Sequence, residues 1–372
     1  MKEDHRRASG RNRFPGREDA LTMGNAHAFP SMSSGVFSYS NPRVIHWGRG
    51  SVAQLSAELQ RLEVLRVALV TTRSLLGELD RLPAKPVVTI VISQHAPMSQ
   101  IDAGVEEASS AGADGVVSFG GGSAIDAAKI VSVRLADGDG RALPHLAIPT
   151  TLSVAELAAG AGYTNEAGDK AGMRDPRLLV EAVIYDAELT LATPMELWLS
   201  TGIRALDHAV EGFLAGGEHP FNDVMALEAI RGLFSSLPRA KADPHNLDVR
   251  TENQLAAWFS FTLPGASASG LSHTMGKQIG ARYRIPHGVT SCLLLPHVMT
   301  YLAKKTPERM AVLTEALGGP AADRVRHLIA FLGLPQHIAD YGIGEAELRR
   351  AAGEVAGKYP AEDLLRIYLS AL

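Results

Sequence analysis

A small set of side chains has the types and spacing to do chemistry together. Arg204 and His208 lie one turn apart in the run Gly202 to Leu214, His273 and Lys277 lie one turn apart in the run Gly270 to Lys277, and His287 follows in Ile285-Pro286-His287-Gly288. Imidazole is both a divalent-metal ligand and a proton carrier near neutral pH. If they converge, His208, His273 and His287 form either a metal centre or a polar substrate site. Ile203, Leu206, Val210, Phe213 and Leu214 recur at helical spacing and make one buried stripe, leaving Arg204, Asp207, His208 and Glu211 on the other side. A solvated helix face would show the same pattern.

A second constellation is suited to phosphate. Gly120-Gly121-Gly122-Ser123 follows the apolar run Gly115 to Phe119 and opens a helix that carries Asp126 and Lys129. Glycines let backbone approach a bulky anion, and a helix N-terminus offers unpaired N–H groups with partial positive charge. The same residues also fit a plain strand-to-helix turn closed by Ser123 and Asp126 as a capping box. The usual dinucleotide fingerprint is absent, since its third glycine is Ile125 here. In Pro149-Thr150-Thr151-Leu152-Ser153, the hydroxyls of Thr150, Thr151 and Ser153 stand at the carboxyl end of a strand, where they line a nucleotide cleft or simply form a turn.

The elements that position these groups fall into two blocks. From Arg66 to Ala187, β-rich runs (Arg66 to Thr72, Val87 to Ser93, Gly115 to Gly120, His145 to Thr150, Ala182 to Ala187) alternate with helical segments such as Met98 to Ala111 and Ser123 to Leu135. This predicts an α/β domain with a mainly parallel sheet, at residues 40–188. After Thr190 every segment reads as helix, including Pro194 to Ala215, Asn222 to Arg239, Glu252 to Thr262, Ser267 to Gly280 and Val289 to Lys304, which predicts an all-α domain at 189–372. A ligand is expected in the cleft between them. Met1 to Tyr39, rich in arginine, reads as a disordered extension.

Composition narrows the function classes. Over 372 residues, 36 Lys plus Arg against 40 Asp plus Glu leaves a net charge of -4, with no electrostatic footprint for nucleic acid or an anionic membrane. The single cysteine, Cys292, excludes a disulfide within the chain and a cysteine-built zinc site, making the cytoplasm the expected compartment. No apolar run reaches the length of a membrane span.

Taken in order, these segments resemble the iron-containing alcohol dehydrogenase superfamily, with its dehydroquinate synthase-like fold, and within it the maleylacetate reductase branch. The likeness runs from about Phe37 to Leu372 and is carried by Val44 to Ser51, Gln94 to Pro97, the glycine turn through Lys129, Ile148 to Thr151, Ala182 to Asp186, Gly202 to Glu211 and Gly270 to His297. It implies an NAD(P)-dependent oxidoreductase, and, since relatives are often dimers, a homodimer. In metal-dependent members one helix supplies Asp and His four residues apart and two later histidines complete a site for Fe2+ or Zn2+. His208, His273 and His287 match the histidines, but Arg204 stands in place of the Asp, and Lys277 in place of a further His near the chemistry.

Exchanging a carboxylate for a guanidinium turns attraction for a dication into repulsion, at about 4 kcal/mol per unit pair 4 Å apart in an effective dielectric of about 20. The ordinary metal site is therefore expected to be absent or much weakened. Arg204 is expected to hold a substrate carboxylate or developing charge, Asp207 to orient it, and Lys277 or His287 to supply a proton. Where NAD-preferring relatives carry Asp at the end of the first strand, this chain has Thr71-Thr72-Arg73, which admits NADP as well as NAD; Thr71 is expected to border the cofactor. Two rivals remain: a metal-dependent alcohol or aldehyde dehydrogenase with Asp207 as replacement ligand, and a non-redox lyase or cyclase on the same scaffold.

Overall fold

Short β-branched runs such as Val67–Thr71 and His145–Pro149 are buried along their whole length, as strands covered on both faces must be. The computed structural model describes residues 42, 44–136, 138–215, 220–261 and 270–372. The main sheet contains β1 (Val44–Trp47), β2 (Val67–Thr71), β3 (Val88–Val91), β4 (Gly115–Gly120) and β5 (His145–Pro149). After an antiparallel hairpin of β6 (Gly160–Thr164) and β7 (Lys170–Arg174), β8 (Ala182–Tyr185) completes it. The strand order is β1-β8-β5-β4-β2-β3, and every pairing in this sheet is parallel. Thr71 opposes Phe119, and Gly120 opposes Pro149, so the carboxyl ends of β2, β4 and β5 finish at one edge.

Alternate residues of each strand feed different cores. Ala68 and Val70 pack with Ile101, Ala127 and Ile130, whereas Val67 and Leu69 pack with Leu55 and Leu59. Thus α1 (Leu55–Arg61) covers one face, and α2 (Met98–Ser110) and α3 (Gly122–Arg134) cover the other. The predicted strands and these two longer helices are present. Strand β1 and the β6–β7 hairpin were not foreseen: β1 has only four residues and the hairpin is rich in glycine and alanine, so neither carries a strong apolar alternation.

The remaining helices are α4 (Met195–Ala215), α5 (Pro220–Ala242), α6 (Leu247–Phe259), α7 (Leu271–Tyr283), α8 (His287–Leu302), α9 (Pro307–Ala316), α10 (Ala321–Leu332), α11 (Glu345–Val355) and α12 (Ala361–Ser370). Helix α8 is buried from Gly288 through Pro296 and forms the axis of this helical region, as its nearly continuous apolar sequence requires. The change from strand to helix falls between Tyr185 and Met195. The expected disordered extension, and the predicted helix start at Ser267, lie outside the described residues. Among the described residues no helix is long and apolar enough to cross a membrane.

Candidate active site

A single cleft of about 1220 Å³ runs from the carboxyl edge of the sheet to the faces of α4, α7 and α8. Its sheet end is built on the glycine turn. Helix α3 begins at Gly122 with Gly121 as N-cap and no side-chain cap, so the capping box suggested by Ser123 and Asp126 does not form. Ser123 instead accepts a hydrogen bond at Oγ from the His95 N–H, 3.0 Å away, and Asp126 accepts at Oδ2 from the Gly162 N–H at 2.9 Å. The first N–H groups of α3 are left without side-chain acceptors, which suits an anion. A Cβ on Gly121 would meet Thr151 Cγ2 at 2.9 Å, so only glycine lets the two turns close on each other.

Gly121, Gly122, Ser123, Asp126, Thr150, Thr151 and Ser153 all line the cleft. Gly120 and Thr71 sit behind it: Gly120 ends β4 with φ 156°, and its carbonyl accepts from Thr150 N–H at 3.0 Å. Thr71 is fully buried, and its hydroxyl donates to the Phe119 carbonyl at 2.7 Å, pinning β2 to β4. The cleft wall at this strand end is made by Thr72, Arg73 and Ser74 instead.

The helical end gathers the remaining groups. Arg204, Asp207 and Glu211 are all buried, so the polar side of α4 is no solvated face. The Arg204 guanidinium donates through Nη1 to Ser291 Oγ at 3.0 Å and Asp207 Oδ2 at 3.3 Å, and through Nη2 to His273 Nε2 at 3.3 Å. Asp207 Oδ2 also accepts from Ser291 Oγ at 2.6 Å and Ser272 Oγ at 3.0 Å. Asp207 Oδ2 is therefore engaged with Arg204 and the two serines, while Oδ1 is buried with no hydrogen-bond partner among the described residues. Glu211 accepts the N–H groups of Ser272 and His273 at 2.5 and 3.2 Å, capping α7 and fixing His273. A Cβ on Gly270 would meet the Glu211 carboxyl carbon at 2.3 Å, which makes room for that cap.

His208, His273 and His287 do converge, with ring centroids 5.6 Å apart for the first pair and 5.1 Å for the second. Because Arg204 donates to Nε2 of His273, that nitrogen presents its lone pair to the guanidinium and the proton resides on Nδ1. Among the described residues no group of three or more His, Cys, Asp or Glu is arranged to hold a metal ion.

The electrostatics favour an anion. Lys277 lines the cleft, and burial, then the Arg204 and Arg174 charges, lower its pKa. Burial and the charges of Arg204, Lys170 and Lys277 hold His287 well below the usual imidazole range, so it is neutral at pH 7. Lys170, on β7, also lines the cleft, and burial followed by Arg204 and Lys277 pushes it down to about 8. Neither Lys170 nor Arg174 was singled out from sequence. Both lie on one weak strand, β7, and the turn Asn165 to Asp169 is the local sign of the hairpin that delivers them.

The comparisons with known proteins agree with this architecture. Residues 42–187 match the family model of iron-containing alcohol dehydrogenase, and residues 198–361 match the C-terminal model of the Fe-containing alcohol dehydrogenase family. The maleylacetate reductase of Rhizobium sp. (strain MTP-10005) is 33% identical over 324 residues, 86% of this chain and 90% of the relative. That of Pseudomonas aeruginosa is 33% identical over 334 residues, 87% and 92% of the two chains. The crystal structure of maleylacetate reductase from Agrobacterium tumefaciens superposes with a TM-score of 0.81 at 29% identity, covering 91% of this chain and 99% of that one. The chain belongs to the iron-containing alcohol dehydrogenase family, on its maleylacetate reductase branch, and is an NAD(P)-dependent oxidoreductase.

Proposed function

We propose that the chain is a metal-independent, NAD(P)H-dependent reductase of small carboxylated substrates with an unsaturated or carbonyl carbon. The observation that carries this reading is the guanidinium of Arg204, 3.3 Å from His273 Nε2, at the position where metal-dependent relatives are expected to place a carboxylate ligand. With that nitrogen already accepting from Arg204, and with fixed positive charge beside it, the donor set does not fit a divalent ion. The rival in which Asp207 replaces the missing ligand asks for a carboxylate whose Oδ2 already accepts from Ser272, Ser291 and Arg204, so that Oδ1, buried and without a hydrogen-bond partner among the described residues, is the oxygen left to it.

Gly121, Gly122, Ser123, Thr150, Thr151 and Ser153 would hold the dinucleotide, which when bound supplies the hydride. Arg204 binds a substrate carboxylate or the oxygen on which charge develops, in a buried setting where its donors need no reorganisation. Lys277 gives its Nζ proton to the substrate. His287, held neutral, is suited to accepting or orienting rather than to proton donation.

The direct test is consumption of NAD(P)H by purified protein against a panel of carboxylated enones and oxo acids, before and after exhaustive chelation, with metal content measured on the same samples. Turnover that survives chelation is expected. One tightly bound metal equivalent required for turnover would defeat the metal-independent reading, and turnover without net cofactor change would favour the lyase or cyclase.

Cofactor choice is read at Arg73, exposed beside Thr72 and Ser74 at the cleft end, where no carboxylate follows β2. NADPH is expected to be used at least as well as NADH. Arg73→Ala should lower kcat/KM for NADPH by about tenfold, the loss of one charge-assisted phosphate contact, with a much smaller change for NADH. A strong NADH preference in the unaltered protein would count against it. The reading also carries a homodimer in the cytoplasm; among the described residues β1 is an edge strand of the sheet, with Trp47 58% exposed, which supports association at that side.

A further inference from the structure

Behind the cleft wall lies a buried lysine that the proposed reaction does not use. Lys129, 1% exposed, donates from Nζ to the carbonyls of Ala155, Ala158 and Gly160 at 2.5, 2.6 and 3.0 Å. From one turn earlier on α3, Asp126 takes the N–H of Gly162. Carboxylate and ammonium thus grip the same stretch of chain from opposite polarities. That stretch leaves the Thr150–Ser153 turn, enters β6 and leads through the hairpin to Lys170.

The segment would not hold this shape by itself. Val154 has φ 54°, a left-handed conformation that a β-branched residue adopts only when its surroundings impose it. The restraints are visible: Leu152 N–H donates to Thr201 Oγ1 at 3.1 Å, and Glu156 Oε1 accepts from the Tyr185 hydroxyl at 2.8 Å. Lys129 supplies the bonds in between. Burial, opposed by the charges of Asp126 and Glu156, leaves it at about 8, so its head remains largely charged at neutral pH.

We infer that Lys129 is a positioning residue, whose buried ammonium clamps the strained segment Val154 to Gly160 and thereby fixes Ser153 for the cofactor. The inference rests on the reading that the Thr150–Ser153 turn receives the dinucleotide. An ammonium is suited to the task because it can serve several carbonyls at once, and no neutral side chain of its length does so.

The test is a graded series, Lys129→Arg, Lys129→Gln and Lys129→Met, in the full chain. NADH and NADPH affinities are measured by fluorescence titration, and amide exchange is mapped by mass spectrometry. The Kd is expected to rise as donors are lost, reaching about tenfold or more in the Met variant. Faster exchange should be confined to residues 151–164, with Arg the mildest change. Should the Met variant fail to fold, Arg and Gln carry the comparison. Equal affinities across the folded variants, or exchange that rises uniformly through the sheet, would overturn the inference. Absence of NADH and NADPH binding in the unaltered chain would instead defeat the cofactor reading on which it rests.

Discussion

Arg204→Met is expected to lower kcat/KM by about 10²–10³-fold, the loss associated with removing one preorganised donor from a buried charge-stabilising site. It should also lower stability by about 3 kcal/mol, because Asp207 is left buried without its cationic partner. The two effects can be separated. Asp207 is held above the usual carboxylate range by burial, against the opposing pull of Arg204 and its hydroxyl donors, so removing the guanidinium drives it further toward the neutral acid. In Arg204→Met/Asp207→Asn the uncompensated charge is gone, and thermal stability is expected to recover in large part while turnover does not. Steady-state kinetics and thermal unfolding of the two single variants and the double variant complete the cycle. If turnover returned along with stability, Arg204 would be a structural ion-pair member and the site would need another anchor for the substrate.

Lys277→Met is expected to reduce kcat by about 10²–10⁴-fold, the usual contribution of a positioned general acid. The direction of the pH dependence follows from its surroundings. Burial and the neighbouring Arg204 and Arg174 charges lower the Lys277 pKa, so the protonated form that donates is depleted as pH rises through that lowered value. Turnover of the unaltered protein should therefore fall on the alkaline side. Lys170, pushed down to about 8, would produce a similar limb if it were the donor. Comparing the pH profiles of Lys277→Met and Lys170→Met distinguishes them: the limb should vanish in the first and persist in the second. Unchanged kcat in Lys277→Met would leave that side chain as a cleft-lining charge without a part in proton transfer.

The groups that matter most to these predictions were found from sequence because their elements are long or strongly patterned. Helix α4 has an apolar stripe clear enough to set Arg204 and His208 one turn apart, and the strand-turn-helix around Gly121 has a local signature in glycine itself. Thr71 illustrates where such reading stops. A residue at the end of a strand faces either the ligand or the neighbouring strand, and the one-residue register that turns Thr71 toward Phe119 and leaves Thr72 at the cleft is settled by sheet pairing. Lys170 shows the complementary case, a cleft-lining side chain on a hairpin held by hydrogen bonds from α3 despite its own weak β pattern.

The α/β-then-helical architecture and the glycine turn after β4 were legible in the residue order, because each is encoded by periodicity or residue type over a few neighbouring positions; that Arg204 stands where a carboxylate is expected came from the resemblance to the family. Which partners surround Arg204 is visible in the folded chain alone. Ser272 and Ser291, distant in sequence, donate to Oδ2 of Asp207, which also meets Arg204, and its Oδ1 is left buried without a partner among the described residues. Whether the polar side of α4 met solvent or a buried cleft depended likewise on α7 and α8 closing over it. Hydrogen-bond partners and dielectric surroundings are non-local quantities, set when separate helices pack, and they are what turn matched side chains into a site with a definite charge.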